Sequence, residues 1–356
     1  MKRIVVKVGS NVLMRDDGKT DVTQMSAIVD QIVWLMHHDY QVILVSSGSI
    51  SSGRDELKVG HKLDSVGERQ LYSAIGQVKL IGLYYDLFRE YDIHVGQVLT
   101  MKENFSSRNE YLNQRGCMTV MLENGVLPIV NENDTASLTE LMFTDNDELS
   151  GLVASMMDAD TLVILTNVDG IFNGAPNDPH SRVIPTVYHD RDLSEYIISE
   201  KSDFGRGGML TKCNIARKVA DEGIKVIIAN GKTKNILIDL VEHPMETMHT
   251  EFMPNPDGTS TVKKWIAHSE SFAKGVVKIN KNAADALTGN KAASLLLVGV
   301  TNVEGEFEEG DIINIEDENG NHIAVGRSGY SAEEAKTNIG KHDIKPLVHY
   351  DYLYLE

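Results

Sequence analysis

Short runs of β-branched and leucine residues recur along the first 250 residues, and a helical pattern separates each run from the next. Candidate strands fall at 4–8, 42–46, 95–100, 127–131, 161–166 and 225–229. Their nearly continuous Val, Ile and Leu content suits strands covered on both faces. Between them lie amphipathic stretches such as 66–91 and 211–222. Strand then helix, repeated, predicts a mostly parallel sheet sandwiched by helices, an open α/β/α architecture. In such sheets ligands bind beyond the carboxyl ends of the strands, so those ends hold the candidate chemistry.

The texture changes after MPNPDGTST, a polar stretch with two prolines and a glycine that reads as a linker. From residue 272 onward, short segments at 275–279, 294–298, 312–315 and 323–327 are separated by Gly- and Asn-containing turns. The expected organisation is a first domain over 1–252, a linker over 253–271 and a small β-rich domain over 272–356. No apolar run approaches the ~20 residues of a membrane helix. The start, MKRIVVKVGS, reads as a strand with neither an h-region nor a cleavage site, so a cytoplasmic protein is expected. Two cysteines, Cys117 and Cys213, offer no disulfide framework or metal spacing and are expected to be small buried thiols.

The formal net charge is −18. Residues 272–356 carry 8 basic and 14 acidic side chains, so the deficit is shared by both parts of the chain. A surface this acidic repels phosphate backbones and anionic lipid, which disfavours nucleic acid as the main partner.

Five strand-end segments stand out. In VVKVGS, Lys7 lies inside an otherwise apolar strand, where an unpaired charge is costly, and Gly9 allows a close backbone approach. VSSGSISSG, 45–53, places small residues and hydroxyls, Ser47 among them, before a helix; it serves equally as an anion cradle or as an ordinary N-cap at Ser47 or Ser49. VNENDT, 130–135, and TDNDELSG, 144–151, supply Asp134, Asn146 and Asp147 as acceptors for an ammonium group or for lysines that need holding; each alone also suits turn chemistry. FGRGGMLTK, 204–212, sets Lys212 behind a glycine-rich helix start, which reads as an anion cradle or a plain flexible loop. His37 and His38, near the end of a helical pattern, read as surface residues.

The chain has no Walker loop, no Gly-x-Ser-x-Gly elbow and no His-Glu-x-x-His. Two lysines, two glycine-rich cradles and a set of Asp/Asn acceptors suit phosphoryl transfer, which asks chiefly for positioning and charge neutralisation with Mg²⁺ bridging phosphates.

Taken together, VVKVGSN, VSSGSISSGR, GQVLT, VNENDT, DNDELS and GGMLTK, in this order and spacing, resemble the glutamate 5-kinase family of the amino acid kinase superfamily. The tail is similar to a PUA domain. The resemblance implies an open α/β/α sandwich that uses ATP and Mg²⁺ to phosphorylate the γ-carboxylate of L-glutamate, the first step of proline synthesis. It implies that Lys7 and Lys212 neutralise the transferring phosphoryl group and that Asp147 holds them in register. Ser47, Asp134 and Asn146 would bind glutamate. Thr166, Asn167, Arg206, Gly207, Gly208, Met209, Leu210, Thr211 and Lys212 would line the nucleotide site, with Lys7 reaching it. Family members often show Asp where Asn167 stands and Thr where Arg206 stands. A homo-oligomer, dimer or tetramer, and feedback inhibition by proline are also implied. The competing readings are another superfamily member (acetylglutamate, uridylate or carbamate kinase), an RNA-linked role through the tail, and a catalytically dead kinase fold.

Overall fold

A computed structural model describes residues 1–105, 108–136, 145–174, 180–188, 209–256, 273–289, 293–342 and 344–355. The chain divides into two compact units. One comprises Met1–Lys102 and Arg115–Gly258, the other Glu103–Gln114 and Thr259–Glu356. Most of the expected linker, residues 257–271, lies outside the described residues. Among those described, no helix is long and apolar enough to cross a membrane.

In the first unit the order is β1 (Lys2–Val8), α1 (Ser10–Leu13), α2 (Val22–His37), β2 (Tyr40–Ser46), α3 (Ser49–Glu56), α4 (Ser65–Arg89), β3 (Val95–Thr100), α5 (Arg108–Glu123, its first residues grouped with the second unit), β4 (Leu127–Glu132), α6 (Asn146–Met156), β5 (Thr161–Thr166), β6 (Thr186–Val187), α7 (Met209–Asp221), β7 (Lys225–Asn230), α8 (Ile236–Glu242) and β8 (Thr250–Phe252). The eight strands form one sheet in the order β3-β4-β2-β1-β5-β7-β8-β6. Every pairing is parallel except β7 with β8. The expected mostly parallel sheet is present.

Side chains alternate across this sheet. Ile4, Val6 and Val8 of β1 join Leu44, Ile129, Val163 and Leu165 in a core closed by α2, α4 and α8. The period of two sends Val5 and Lys7 to the opposite face. Helix α2 reaches the core through Met25, Ile28, Val29, Ile32 and Leu35, an apolar stripe at helical spacing, and Asp21 caps its start.

Helices α3 and α4 meet backbone to backbone. A Cβ on Gly76 would fall on the carbonyl oxygen of Ser49, and one on Gly53 on that of Tyr72. Only glycine permits that approach, and the contact fixes the start of α3 against α4.

The second unit holds β9 (Gly275–Ile279), α9 (Lys281–Leu287), β10 (Val300–Gly305), β11 (Ile312–Glu316), β12 (His322–Arg327), α10 (Ala332–Asn338) and β13 (Leu353–Leu355). Its five strands run β10-β9-β11-β12-β13 around a separate core that includes Val277, Ile279, Ile313, Ile315 and Leu347.

Three expectations need correction. The segment 294–298 forms no strand: Leu295 makes a single bridge to Val348 and the chain then turns through a 3₁₀ segment at Leu297–Gly299. The cause is close packing, since a Cβ on Gly299 would lie 2.6 Å from that of Ala283. Strand β3 is an edge strand with Gln97 and Leu99 exposed, so it is not covered on both faces. Cys213 is buried as expected, but Cys117 is exposed, because α5 presents that position to solvent. His37 and His38 are at the surface, as expected.

Two glycines of α4 should respond oppositely to alanine. Gly76→Ala should lower stability by about 2–3 kcal/mol, because α3 must move away. Gly82→Ala, with nothing within 4 Å of its added Cβ, should raise it by up to about 1 kcal/mol through helix propensity. Urea midpoints of the two variants against the parent check the pair.

Candidate active site

Parallel pairing puts the carboxyl ends of β1, β2, β4 and β5 along one edge of the sheet. Val8 pairs with both Ser46 and Leu165, and Val45 with Val130. The residues just past those ends are therefore neighbours, although they are far apart in sequence.

Lys7 leaves β1 on the face covered by α6. Its Nζ lies 2.5 Å from Asp147 Oδ1, and Lys212 Nζ lies 2.9 Å from Asp147 Oδ2. One carboxylate thus bridges two lysines carried by a strand and a separate helix. Asp147 is 1% exposed and Lys7 5%, so each ion depends on the other for compensation. Local sequence explains the convergence. Gly151 sits one helical turn after Asp147, and a Cβ there would meet Ile215 and Val219 of α7 at 3.1 and 3.0 Å. The bare backbone lets α7 come close, and Lys212, one turn before Ile215, reaches Asp147. On the strand side, a Cβ on Gly9 would lie 3.5 Å from Lys7 Nζ, so the glycine keeps space beside the ammonium.

Asp145 caps α6, accepting from the backbone N–H groups of Asp147 and Glu148 through Oδ1. Its Oδ2 is buried without a hydrogen-bond partner among the described residues. Burial first, then repulsion from the Asp147 carboxylate, pushes the Asp145 carboxyl up to about 6. Burial would raise Asp147 as well, but the charges of Lys7 and Lys212 override it and hold that carboxyl down at about 2.

A second cluster adjoins the first. Asn146 Nδ2 donates to the Ser46 carbonyl at 3.2 Å, Ser47 Oγ at 3.0 Å and Asn131 Oδ1 at 2.9 Å. With its amide N–H groups turned inward among these acceptors, Asn146 keeps its carbonyl oxygen for another partner. Asp134 accepts from Arg69 Nε at 2.7 Å and from Ser49 Oγ at 3.3 Å. The helix behind Ser47 is capped by neither Ser47 nor Ser49: Gly48, at φ 105°, is the N-cap residue of α3, a left-handed backbone that suits glycine.

At the end of β5, Thr166 is buried, donates to Asn167 Oδ1 at 3.3 Å, and pairs in register with Asn230 of β7, while Asn167 is exposed. Met209, Leu210 and Thr211 form the first turn of α7, with Lys212 directly behind them. Arg206, Gly207 and Gly208 lie outside the described residues.

The structure brings Lys7, Asp147 and Lys212 into one ion cluster and joins Ser47 to Asn146. Sequence reasoning passed over Asp145, Arg69, Glu132 and Asn131. An aspartate directly before Asn-Asp-Glu carries a readable N-cap signal. Arg69, inside a long amphipathic helix, carries none.

Comparison with known proteins places the chain. Residues 2–230 match the amino acid kinase family model, and residues 275–350 match the PUA domain model. The glutamate 5-kinase of Bacteroides thetaiotaomicron is 63% identical over 354 residues, covering 99% of this chain and 98% of that protein. The glutamate 5-kinase of Chlorobaculum tepidum is 46% identical, over 99% and 97% of the two chains. The chain belongs to the glutamate 5-kinase branch of the amino acid kinase family. A carbamate kinase from Giardia lamblia, 16% identical, shares the fold with a TM-score of 0.50 over 71% of this chain and 99% of its own. In this chain a module of the PUA type follows the kinase unit.

Asp145 gives a pH test of this family member's site. Its folded value of about 6 lies above the usual 3.8, so the folded state disfavours the ionised form. The resulting cost is absent below about pH 4 and complete above about pH 7. Asp145→Asn keeps the cap and removes the ionisation. Its unfolding free energy should exceed the parent's by about 2–3 kcal/mol at pH 8 and match it near pH 4. Denaturant titrations at the two pH values measure the difference.

Proposed function

We propose that the chain transfers the γ-phosphoryl group of ATP to the γ-carboxylate of L-glutamate, giving L-glutamyl 5-phosphate and ADP, as the first step of proline synthesis. The observation that carries this reading is the convergence of Lys7 and Lys212 on Asp147 at the carboxyl edge of the sheet. The full-length likeness to glutamate 5-kinases supports the choice of substrate.

A carboxylate acceptor is already ionised at neutral pH and needs no general base. Its obstacle is the charge on the triphosphate, about 4 kcal/mol per pair of unit charges 4 Å apart at an effective dielectric of ~20. Two lysines that share one carboxylate present two ammonium groups to the phosphoryl group from fixed positions. Because Asp147 holds both ammonium groups before substrate arrives, little reorganisation is needed at the transition state. Thr166, Asn167, Arg206, Gly207, Gly208 and the residues Met209, Leu210, Thr211 and Lys212 at the start of α7 would take the nucleotide side, with Lys7 reaching it. Ser47, Asp134 and Asn146 would hold glutamate, with Asp134 and the Asn146 carbonyl as acceptors for its ammonium group.

Magnesium finds no protein cage here. Among the described residues, no three His, Cys, Asp or Glu side chains lie together to hold a metal ion, and both oxygens of Asp147 face lysines. An ion arriving with ATP would be carried by the phosphate oxygens.

We assign catalysis to residues 1–252, the linker to 253–271 and the PUA-type module to 272–356. Every described residue in the proposed roles precedes the linker. The acidic balance of 272–356 argues against nucleic acid as its main partner.

Lys7→Ala and Lys212→Ala should each lower kcat about 100-fold or more in an ATP-dependent hydroxamate assay with glutamate. Retention of parental kcat by both variants would remove the lysines from catalysis. The same assay should favour glutamate over aspartate and N-acetylglutamate. Free proline, a carboxylate with a secondary ammonium group, should compete with glutamate in initial-rate kinetics. The segment expected to mediate that response, 136–143, lies almost entirely outside the described residues, so kinetics is the direct test.

A further inference from the structure

Arg69 is buried in the first unit, one helical turn inside α4, and no role in the proposed chemistry has yet fallen to it. Its Nε donates to Asp134 Oδ1 at 2.7 Å, and its terminal nitrogen donates to Glu132 Oε2 at 2.8 Å while also pairing with Asp134. Glu132 closes β4, and Asp134 lies two residues beyond it. Arg69, Glu132 and Asp134 are 8%, 7% and 7% exposed. A planar fork that reaches two carboxylates at once is a geometry arginine offers and lysine does not.

The cluster has three properties that matter for a ligand. One guanidinium is shared between two carboxylates, so Asp134 does not have a full positive charge to itself. Asp134 is held from both sides, Oδ1 by Arg69 and Oδ2 by Ser49 Oγ, so its orientation is set before any ligand arrives. Each carboxylate oxygen can accept more than one hydrogen bond, so both retain capacity. The two groups holding Asp134 also belong to one rigid piece, because Ser49 begins α3 and its carbonyl oxygen is the atom that Gly76 of α4 lies against. The glycine contact therefore fixes the distance between the donors that aim Asp134.

We infer that Arg69 is a positioning residue for the amino-group side of the substrate pocket: it bridges Glu132 and Asp134 so that Asp134 meets the substrate's ammonium in a fixed orientation, and it does not touch substrate itself. This rests on the reading of Asp134 as an acceptor for that ammonium. Loss of the guanidinium removes the counter-charge that the two buried carboxylates share, and Asp134 is no longer held in one orientation. The ammonium contact exists in both ground and transition state, so the consequence falls on glutamate KM.

Three variants test the inference by steady-state kinetics with glutamate and ATP varied separately. Arg69→Gln should raise glutamate KM about thirtyfold or more, with kcat within about threefold and ATP KM unchanged. Arg69→Lys keeps the charge without the fork and should raise it about fivefold. Asp134→Asn tests the underlying reading: it should raise glutamate KM on its own, and adding Arg69→Gln to it should cost less than about threefold more, because the arginine acts through that carboxylate. An Asp134→Asn enzyme with parental glutamate KM defeats the substrate-site reading. An Asp134→Asn enzyme with raised KM beside an Arg69→Gln enzyme with parental KM defeats the role of Arg69 alone. Equal loss in kcat and in both KM values, or full additivity in the double variant, marks a merely structural arginine and also overturns the inference. If Arg69→Gln does not fold, Arg69→Lys decides: glutamate KM within twofold of the parent overturns the inference, and a selective rise supports it.

Discussion

The carboxylate of Asp147 between the ammonium groups of Lys7 and Lys212 is the interaction on which the rest of the first unit is arranged. A lysine on an interior strand is affordable only with a counter-charge at hand, and a carboxylate buried to 1% exposure needs the same. Each side of the cluster has its own provision. Strand β1 delivers Lys7 because its alternation sends Val6 and Val8 into the helix-covered core and the intervening residue to the other face. Helix α6 delivers Asp147 in its first turn, with Asp145 capping it. Helix α7 delivers Lys212 because Gly151 removes the side chain that would hold the two helices apart. A change in any of the three elements displaces a buried ion.

The sheet edge thereby acquires two electrostatic halves. At Lys7 and Lys212 two ammonium groups converge, which suits the phosphoryl group to be moved. Around Asp134 and Glu132 two carboxylates face one guanidinium, which suits an ammonium. Asn146 joins the halves: it follows the cap residue of α6 and precedes Asp147, while its amide N–H groups reach Ser47 and Asn131. A zwitterionic amino acid whose distal carboxylate must approach a polyanion matches that polarity. Net charge of the whole chain would not reveal it, since −18 is a sum over every charged side chain and says nothing about how charge is distributed within a buried site.

Much of this was legible in the sequence, for identifiable reasons. The six kinase-unit strands foreseen from β-branched runs all form; five are central strands of the sheet, which must be apolar throughout, and β3 lies at its edge. Lys7 was visible because a charge inside such a run breaks the pattern. Lys212 and Asp147 were visible because they stand beside glycines and at a helix start. Arg69 was not, because in the sequence of α4 it looks like any solvent-facing charge, and its partners Asp134 and Glu132 are far away in the chain. Glu132 was concealed at the end of an apolar run, and Asp145 behind two more conspicuous neighbours. The segment 294–298 misled because its short apolar run mimics a strand, whereas the chain makes a single bridge and then turns through the 3₁₀ segment at Leu297–Gly299. The edge position of β3 was hidden because strand order is not written in local pattern.

The central claim is that Asp147 holds two lysines ready for phosphoryl transfer. Asp147→Asn tests it most directly, since the substitution keeps the shape and removes the charge that binds both ammonium groups. The measurement is single-turnover formation of the hydroxylamine-trapped acyl phosphate at saturating ATP and glutamate, alongside the unfolding midpoint. The account predicts a folded protein whose rate falls about 100-fold or more. A folded Asp147→Asn enzyme turning over at the parental rate would contradict it.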